Sequence, residues 1–260
     1  MDKREAIAEV FERYKRRGYG TVNQREAYYI QELIEQHRPR RFLEIGMASG
    51  LSGGLIASFM EKSGGESFIS LDFASKFFGD PHKPVGFLID QIYTGKKVHV
   101  SIRPQKTALD LPEFDETFDM VFVDGNHQHP WPTIDTLFVK PYLTGNQIVI
   151  HHDRMLYQAQ ENAKGIGPKY LYDQFPESVR SLPKACGGNI YSLDLVSLSQ
   201  SDLVRYFSDL FLFPWTLMKP LEHDAIEKVS NFIHRHYGKL LHDAFITGAR
   251  RYNVPKGAFG

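Results

Sequence analysis

The sequence predicts an α/β protein with a doubly wound, Rossmann-like core, a mostly parallel sheet of seven strands, and helices at both termini. From residue 41 onward, short apolar segments alternate with segments of helical spacing. Glycine or acidic residues follow several of the strand-like segments. The last two strand-like segments are separated only by Ala185–Gly188, which indicates an antiparallel hairpin at the end of the sheet.

The alternation defines five strands joined by helices. The strands are predicted at residues 41–46, 67–73, 97–102, 118–124 and 146–152. Helices are predicted at 51–60, 85–93 and 134–143, and the strands of the closing hairpin at 178–184 and 189–196. Parallel strands need crossover connections, and helical crossovers cover both faces of such a sheet.

The residues on either side of this core have helical spacing. Two amphipathic helices are predicted before residue 41, the first over 2–17 and ending near Gly18–Gly20, and residues 201–248 are also predicted to be helical. No internal repeat or linker interrupts the chain. We therefore expect one domain over 1–260, with N-terminal helices at 1–40, the core at 41–196 and a helical extension at 197–260.

The charge and composition of the sequence limit the kinds of partner and compartment that can be expected for this protein. The sequence has 31 lysines and arginines against 31 aspartates and glutamates, whereas nucleic-acid binders usually carry a basic excess. The N-terminus lacks the apolar run of a signal peptide, and no segment is apolar enough to span a membrane. A single cysteine, Cys186, suits a reducing compartment. We expect a cytoplasmic protein that binds neither nucleic acid nor membrane.

Polar residues cluster at the ends of four predicted strands. These clusters are Glu44–Gly46, Asp72, Asp124–His127 and His152–Asp153. In an open parallel sheet, ligands bind outside the carboxyl ends of the strands, near the point where the strand order reverses. The four clusters are therefore expected to surround one crevice.

The first cluster opens a glycine-rich turn, Glu44-Ile45-Gly46-Met47-Ala48-Ser49-Gly50. Glycine lets a backbone approach a ligand closely, and the following helix offers free amide groups. The spacing differs from the G-x-G-x-x-G pattern of dinucleotide sites. Glu44 would repel a pyrophosphate but suits the ammonium group of a nucleotide that carries an amino acid. The alternative is a turn whose glycines serve only packing.

Asp72 ends the second predicted strand. An acidic side chain at this position can accept hydrogen bonds from both hydroxyls of a ribose, as it does in nicotinamide-dependent enzymes. A nicotinamide-dependent oxidoreductase is therefore a rival interpretation, although the glycine pattern disfavours it. A third interpretation is that Asp72 faces solvent and binds no ligand.

Together these motifs resemble the class I S-adenosylmethionine-dependent methyltransferases. The resemblance is carried by Phe42–Gly46 with Gly50, Asp72, Asp119–His127 and Ile148–Asp153. It is greatest to the small O-methyltransferases that include the catechol, caffeoyl-coenzyme A and antibiotic-sugar enzymes, and it covers roughly residues 20–196. Ala48 replaces the middle glycine of the usual loop.

The resemblance implies a site for S-adenosylmethionine and a small-molecule acceptor that carries a hydroxyl group, such as a sugar or a secondary metabolite. Glu44, Gly46 and Ser49 would surround the methionine portion, Asp72 would hold the ribose, and Phe73 would flank the adenine. The segment Gln105–Thr107 would contact the adenine amino edge. The cofactor-binding residues implied in this way are Glu44, Gly46, Ala48, Ser49, Gly50, Asp72, Phe73, Thr107 and Asp124.

Relatives of this type often hold a divalent cation, and the matching ligands are Asp124 and Asp153. Oxygen ligands favour Mg²⁺ or Mn²⁺. His152 and Arg154 stand on either side of Asp153, at positions where such relatives usually have a further acidic ligand. The sequence is therefore compatible with a magnesium enzyme and with a metal-independent one. A zinc or iron site built from His127, His129, His151 and His152 together with Asp124 and Asp153 is a further alternative.

His127 and Asp124 are the expected catalytic residues. Histidine titrates near neutral pH and suits the removal of a proton from a hydroxyl group. A loop histidine that caps the next helix is the alternative. Trp131 is expected either to form a wall of the acceptor pocket or to pack in the core. The aromatic run within 201–218 could cover the site, form a homodimer contact or pack in the core. A methyltransferase-like scaffold without activity also remains open.

Overall fold

Nine strands and nine α-helices occur in the computed structural model, which describes residues 3–16, 19 and 22–253. The strands are β1 Arg41–Ile45, β2 Ser67–Asp72, β3 Lys76–Phe77, β4 Asp80–Pro84, β5 His99–Pro104, β6 Phe118–Val123, β7 Leu143–His151, β8 Arg180–Ser181 and β9 Tyr191–Asp194. The helices are α1 Lys3–Tyr14, α2 Gln24–His37, α3 Leu51–Ser63, α4 Ile89–Ile92, α5 Trp131–Val139, α6 Gly167–Gln174, α7 Gln200–Leu212, α8 His223–Tyr237 and α9 Lys239–Tyr252.

Seven strands form one sheet in the order β5-β2-β1-β6-β7-β9-β8. The first five in this order are parallel, and β9 is antiparallel to both of its neighbours. This confirms the predicted mostly parallel sheet with an antiparallel hairpin at its end. The position of β9 separates the fold from the dinucleotide-binding order 3-2-1-4-5-6. The strand order reverses between β1 and β6, so their carboxyl ends border a crevice.

The structure differs from the predicted elements at residues 76–93 and at α6. The helix expected over 85–93 is reduced to α4, and β3 and β4 form a separate two-stranded sheet just before it. Strand β4 is largely exposed and contains prolines at both Pro81 and Pro84, so it carries no alternation of apolar residues. Helix α6 was not predicted, because its eight residues contain only one fully buried leucine, Leu171. The predicted end of the first helix at Gly18 and Gly20 lies outside the described residues.

The two faces of the sheet carry separate apolar cores. On one face, Phe42, Phe68 and Phe122 pack with α1, α2 and α3. On the other face, residues that alternate with these, such as Leu43 and Val121, pack with α5 and the C-terminal helices. This alternation is the pattern expected of strands that are covered on both faces.

The C-terminal helices α7, α8 and α9 share the second core. The Phe138 ring of α5 stacks on Phe232 of α8 with 3.9 Å between ring centroids, and the Tyr237 hydroxyl donates to the Leu137 carbonyl at 2.6 Å. That the chain forms a single domain stays a prediction. It is supported by the second core, which joins the C-terminal helices to α5 and the sheet. None of the helices in the described ranges has the length and apolar character needed to cross a membrane.

The contact between α7 and α9 gives a test of this packing. A Cβ added at Gly248 would lie 2.2 Å from the Phe211 carbonyl oxygen, a distance that real structures do not tolerate. Gly248→Ala should therefore lower the free energy of unfolding by about 1–3 kcal/mol, measured by urea denaturation. Helix propensity alone would instead raise it by about 1 kcal/mol.

The neighbouring exposed residue Thr247 provides the control. Thr247→Ala should change the free energy of unfolding by less than about 0.5 kcal/mol. A Gly248→Ala protein as stable as the wild type would contradict the close approach of α9 to α7.

Candidate functional site

A cavity of about 760 Å³ opens at the carboxyl ends of β1, β2 and β6. This volume is in the range of small-molecule sites. All four polar clusters of the sequence reach its wall, through Gly46, Asp72, Asp124–His127 and His152–Asp153. Phe73 and Phe78, which are 80% and 71% exposed, also line it, and Phe78 belongs to the β3–β4 hairpin that the sequence did not predict.

The glycine loop passes very close to the end of β6. Gly46 has a φ of 93°, and a Cβ added to it would lie 2.2 Å from the Asp124 carbonyl oxygen. The Asp124 amide donates to the Ile45 carbonyl at 2.8 Å, which continues the pairing of the two strands beyond their ends. Gly46 is therefore required by this close approach, and Ala48 lines the cavity beside it.

Asp72 fixes the shape of the glycine loop from the end of β2. Its Oδ2 accepts hydrogen bonds from the amides of Met47 and Ala48 at 3.1 and 3.0 Å, and its Oδ1 accepts one from Ala74 at 2.9 Å. The residue is largely buried but lies on the cavity wall, next to the exposed Phe73. Each carboxylate oxygen has more than one lone pair, so Asp72 can still accept from a ligand hydroxyl.

Glu44 does not reach the cavity. Its side chain is fully buried on the α3 side of β1 and accepts hydrogen bonds from Ser52 at 2.6 Å and Ser70 at 2.5 Å. Burial raises the pKa of Glu44 to about 7, although both serine hydroxyls favour its charged form. The expected contact between Glu44 and the methionine portion of a cofactor is therefore corrected.

Two further residues of the loop also lie off the cavity wall. Ser49 is fully buried, and its hydroxyl has no hydrogen-bond partner among the described residues. A Cβ at Gly50 would meet Gly86 and Ile89 at under 3 Å, so this glycine serves packing against the segment before α4. Gly46 and Ala48 are therefore the loop residues that line the cavity, whereas Ser49 and Gly50 pack on the side of the loop that faces away from it.

Thr107 lines the cavity, and its polar groups already make local hydrogen bonds. Its hydroxyl accepts from the Leu109 amide at 3.2 Å, and its amide donates to Asp110 at 2.8 Å, in a capping box that begins the 3₁₀ helix Ala108–Glu113. These bonds leave one lone pair on the hydroxyl, which can accept from an amino group, so the expected contact of this segment with the adenine edge stays a prediction. Gln105, also expected there, is exposed and does not line the cavity.

Two histidines and two aspartates form a connected group at the ends of β6 and β7. His127 Nε2 lies 3.2 Å from Asp124 Oδ1 and 3.5 Å from Asp153 Oδ2. His152 Nδ1 lies 3.0 Å from the same Asp124 oxygen and 3.4 Å from Asp153 Oδ1. The sequence analysis expected these four residues at the ends of two strands that border one crevice, and the structure places them in contact there.

The N-terminal helix α2 contributes a residue that the sequence analysis missed. Glu26 Oε2 lies 3.1 Å from His152 Nε2, and Asn189 Nδ2 donates to Glu26 Oε1 at 3.2 Å and to Asp153 Oδ1 at 3.1 Å. Glu26 also completes a capping box with Asn23 at the start of α2. The spacing Asn23-x-x-Glu26 signals a helix start, but it gives no sign that the same carboxylate reaches a strand end 126 residues away.

The charged side chains in this group shift the pKa values of their neighbours. Burial alone would lower the pKa of His152, but the charge and hydrogen bonds of Asp124 and the hydrogen bond to Glu26 raise it well above its usual value. Burial would raise the pKa of Asp124, yet the charge of His152 and the hydrogen bond with His127 bring it down to about 2. His152 is therefore held as a cation between ionised carboxylates.

The other two histidines of the predicted zinc or iron site point elsewhere. His129 Nε2 lies 2.8 Å from the Leu210 carbonyl oxygen, and His151 stacks on Tyr191 and contacts Thr136. Burial lowers the pKa of His129 to about 4 and that of His151 to about 3, so both rings are neutral. A site with four histidine ligands is therefore not formed.

A smaller metal site fits the residues present. Ligand atoms of Asp124, His152 and Asp153 all lie within 4.8 Å of one another. Glu26 on the far nitrogen of His152 forms the carboxylate–histidine arrangement that orients many metal-bound histidines. Arg154 does not oppose a cation, because its side chain turns to the Gly188 carbonyl and the Tyr172 ring. Mixed nitrogen and oxygen ligands suit Mn²⁺ at least as well as Mg²⁺.

The aromatic residues divide between the cavity and the core. Trp131, at the start of α5, is partly buried and lines the cavity, as one of its two expected roles requires. Phe207, Phe211 and Trp215 are buried in the second core. These three side chains pack the C-terminal helices onto α5 and the sheet and do not line the cavity.

Comparison with known proteins agrees with the fold. Residues 43–154, which contain the glycine loop, Asp72, Asp124 and Asp153, match a sequence family described as a methyltransferase domain. A methyltransferase from Podospora anserina, solved with S-adenosylhomocysteine bound, is 16% identical, and the alignment covers 74% of this chain and 88% of that one with a TM-score of 0.51. A Staphylococcus aureus protein described as a caffeoyl-CoA O-methyltransferase is 16% identical over 75% of this chain and 93% of its own, with a TM-score of 0.52.

No curated protein matches the sequence. The methyltransferase-domain match nevertheless confirms the predicted resemblance to the class I methyltransferases. The two solved structures show the same Rossmann-like methyltransferase fold. At this level of identity their likeness concerns the fold, so the reaction and its substrate have to be argued from the site itself.

The buried Glu44 predicts a pH dependence of stability. The unfolded chain releases this proton near pH 4.5 and the folded chain near pH 7, so the free energy of unfolding should fall as the pH rises between these values. The loss should be on the order of 3 kcal/mol. Glu44→Gln should remove most of it, measured by urea denaturation at pH 5 and pH 7.5.

The control is Glu66→Gln, which changes an exposed glutamate and should leave the pH dependence of the wild type intact. The same fall in stability in Glu44→Gln as in the wild type would show that Glu44 is ionised in the folded protein.

Proposed function

We propose that this protein is an S-adenosylmethionine-dependent methyltransferase that methylates a hydroxyl oxygen of a small molecule. The observation that carries the proposal is the single cavity that joins a glycine loop, the acidic end of β2 and a histidine–carboxylate group. The methyltransferase-domain match over the same residues supports it. S-adenosylhomocysteine in the Podospora protein of the same fold supports the choice of cofactor.

The residues at the end of β2 suit the nucleoside of this cofactor. Asp72 would accept hydrogen bonds from the ribose hydroxyls, and the exposed ring of Phe73 would cover one face of the adenine. Gly46 and Ala48 let the ligand approach the loop backbone. Asp124 lies where it would face the amino-acid portion or the sulfonium, in the place first expected for Glu44.

His127 would accept the proton of the acceptor hydroxyl. Its Nε2 faces Asp124 and Asp153, which favours the tautomer with the proton on Nε2 and leaves the lone pair on Nδ1. The cofactor would supply an electrophilic methyl group. The protein then has to align the oxygen with that methyl and to hold the proton as it leaves, and positioning of this kind lowers the barrier greatly.

Asp124, His152 and Asp153 would hold a divalent cation if one takes part. Its chemistry there would be to bind acceptor hydroxyls and lower their pKa. The Nδ1 proton of His152 would have to leave first, since only the neutral ring is a ligand. Mg²⁺ and Mn²⁺, the two cations expected from the sequence, are therefore both to be tested.

Titration of dialysed protein with S-adenosylhomocysteine tests the cofactor class. We expect micromolar affinity, roughly 8 kcal/mol of binding free energy, by isothermal calorimetry. NAD⁺ should not bind, because the loop lacks the dinucleotide pattern and β9 is antiparallel. Binding of NAD⁺ in place of S-adenosylhomocysteine would favour the oxidoreductase interpretation and contradict the proposal.

A panel of hydroxyl-bearing acceptors tests the role of His127. Catechols, sugars and related metabolites would be incubated with tritiated S-adenosylmethionine, with and without Mg²⁺ or Mn²⁺. For any acceptor found, His127→Ala should lower kcat by about 10²–10⁴-fold, since a general base contributes on that order. His82→Ala, a histidine of the exposed hairpin, is the control and should retain full activity. Unchanged turnover in His127→Ala would exclude it as the proton acceptor.

A further inference from the structure

A buried acid on α5 faces the cavity and has no role in the site described so far. Asp135 is 4% exposed, and it lines the cavity together with Trp131, which lies one helical turn earlier on the same face. No hydrogen bond or ion pair joins its carboxyl group to any residue that the structure describes. Its carboxyl oxygens reach the cavity surface, so a ligand in the cavity can supply the missing hydrogen bonds.

The neighbours of Asp135 place it at the end of β1, on the apolar wall of the cavity. A Cβ added at Gly125 would lie 3.7 Å from Asp135 Oδ2 and 3.4 Å from Ile45 Cγ2, so the carboxyl group lies beside the end of β1. Ile45 pairs with Leu71, the residue before Asp72, on one side and with Val123, the residue before Asp124, on the other, and all three apolar side chains belong to the core that packs on α5. Asp135 therefore borders the apolar wall between the proposed ribose position at Asp72 and the histidine group at Asp124.

The adenine edge needs a hydrogen-bonding partner in this region. The amide and hydroxyl of Thr107 are used in the capping box, and the Lys106 ammonium pairs with Glu113. The Asp72 carboxylate is aligned with three backbone amides. Asp124 and Asp153 belong to the histidine group at the other side of Gly125. Asp135 is the acid on the described wall that remains available.

We propose that Asp135 recognises the 6-aminopurine ring of the cofactor, with one carboxyl oxygen accepting from the exocyclic amino group and the protonated oxygen donating to the adjacent ring nitrogen. This inference rests on the proposed function, because it assumes that the cavity binds an adenosyl cofactor. A carboxylic acid presents a donor and an acceptor side by side, which matches the amino group and ring nitrogen of adenine.

The protonation state suits this pairing. Burial raises the pKa of Asp135 to about 8, so the neutral acid predominates near neutral pH. The asparagine amide has the same donor and acceptor arrangement and pairs with adenine in nucleic-acid recognition. Asp135→Asn should therefore preserve the interaction, whereas Asp135→Leu should remove it and still fill the space.

The test compares S-adenosylhomocysteine with its 6-deamino analogue, in which hydrogen replaces the amino group, by isothermal calorimetry. The wild type should bind the analogue about 10-fold more weakly, equivalent to about 1.4 kcal/mol. Asp135→Leu should bind S-adenosylhomocysteine more weakly and should distinguish the two ligands less than about threefold. Asp135→Asn should keep the wild-type preference.

Thr133→Val is the matched control on the same helix. Thr133 is fully buried, its hydroxyl also lacks a partner among the described residues, and it does not line the cavity. This variant should keep the tenfold preference.

Equal affinity of the wild type for the two ligands would overturn the inference even if Asp135→Leu did not fold. An unchanged preference in a folded Asp135→Leu protein would also overturn it. Failure of the wild type to bind either ligand would instead overturn the proposed function, and with it the basis of this inference.

Discussion

The ring of His152 connects the parts of the protein that build the site. Its two nitrogens lie 3.0 Å from Asp124 at the end of β6 and 3.1 Å from Glu26 in the first turn of α2. Through Asn189 the same group reaches the turn before β9. The N-terminal helix, two central strands and the closing hairpin are therefore positioned by one buried ion network. Removal of one partner from such a network typically costs about 3–5 kcal/mol, because it leaves a buried charge uncompensated.

The buried acids near the sheet show how partners determine charge. Glu44 receives only neutral serine hydroxyls, and burial raises its pKa to about 7. Asp124 is partly exposed to the cavity, and the His152 cation lowers its pKa to about 2. Asp135 has no partner among the residues that the structure describes, and burial raises its pKa to about 8. The cavity wall thus carries an ionised acid at the histidine end and a protonated acid at the apolar end, which matches the two chemically different ends of an adenosyl amino acid.

Periodicity and strand-end polar residues were enough to predict the sheet, its closing hairpin and the convergence of Asp72, Asp124, His127 and Asp153. They could not show where a side chain points. Glu44 lies on a strand covered on both faces, and its alternation directs it to the α3 side and away from the cavity. Glu26 and Asp135 look in sequence like a helix cap and a surface residue of an amphipathic helix. Their roles depend on contacts between distant segments, which no local pattern encodes.

A crystal structure of the protein with S-adenosylhomocysteine would test the account most directly, because the central claim is that one cavity binds the cofactor and presents the acceptor to His127. The account predicts ribose hydroxyls within hydrogen-bond distance of Asp72, the adenine against Phe73, and the sulfur on the side of Asp124 and His127. Ligand density outside this cavity, or a ribose away from the end of β2, would contradict it.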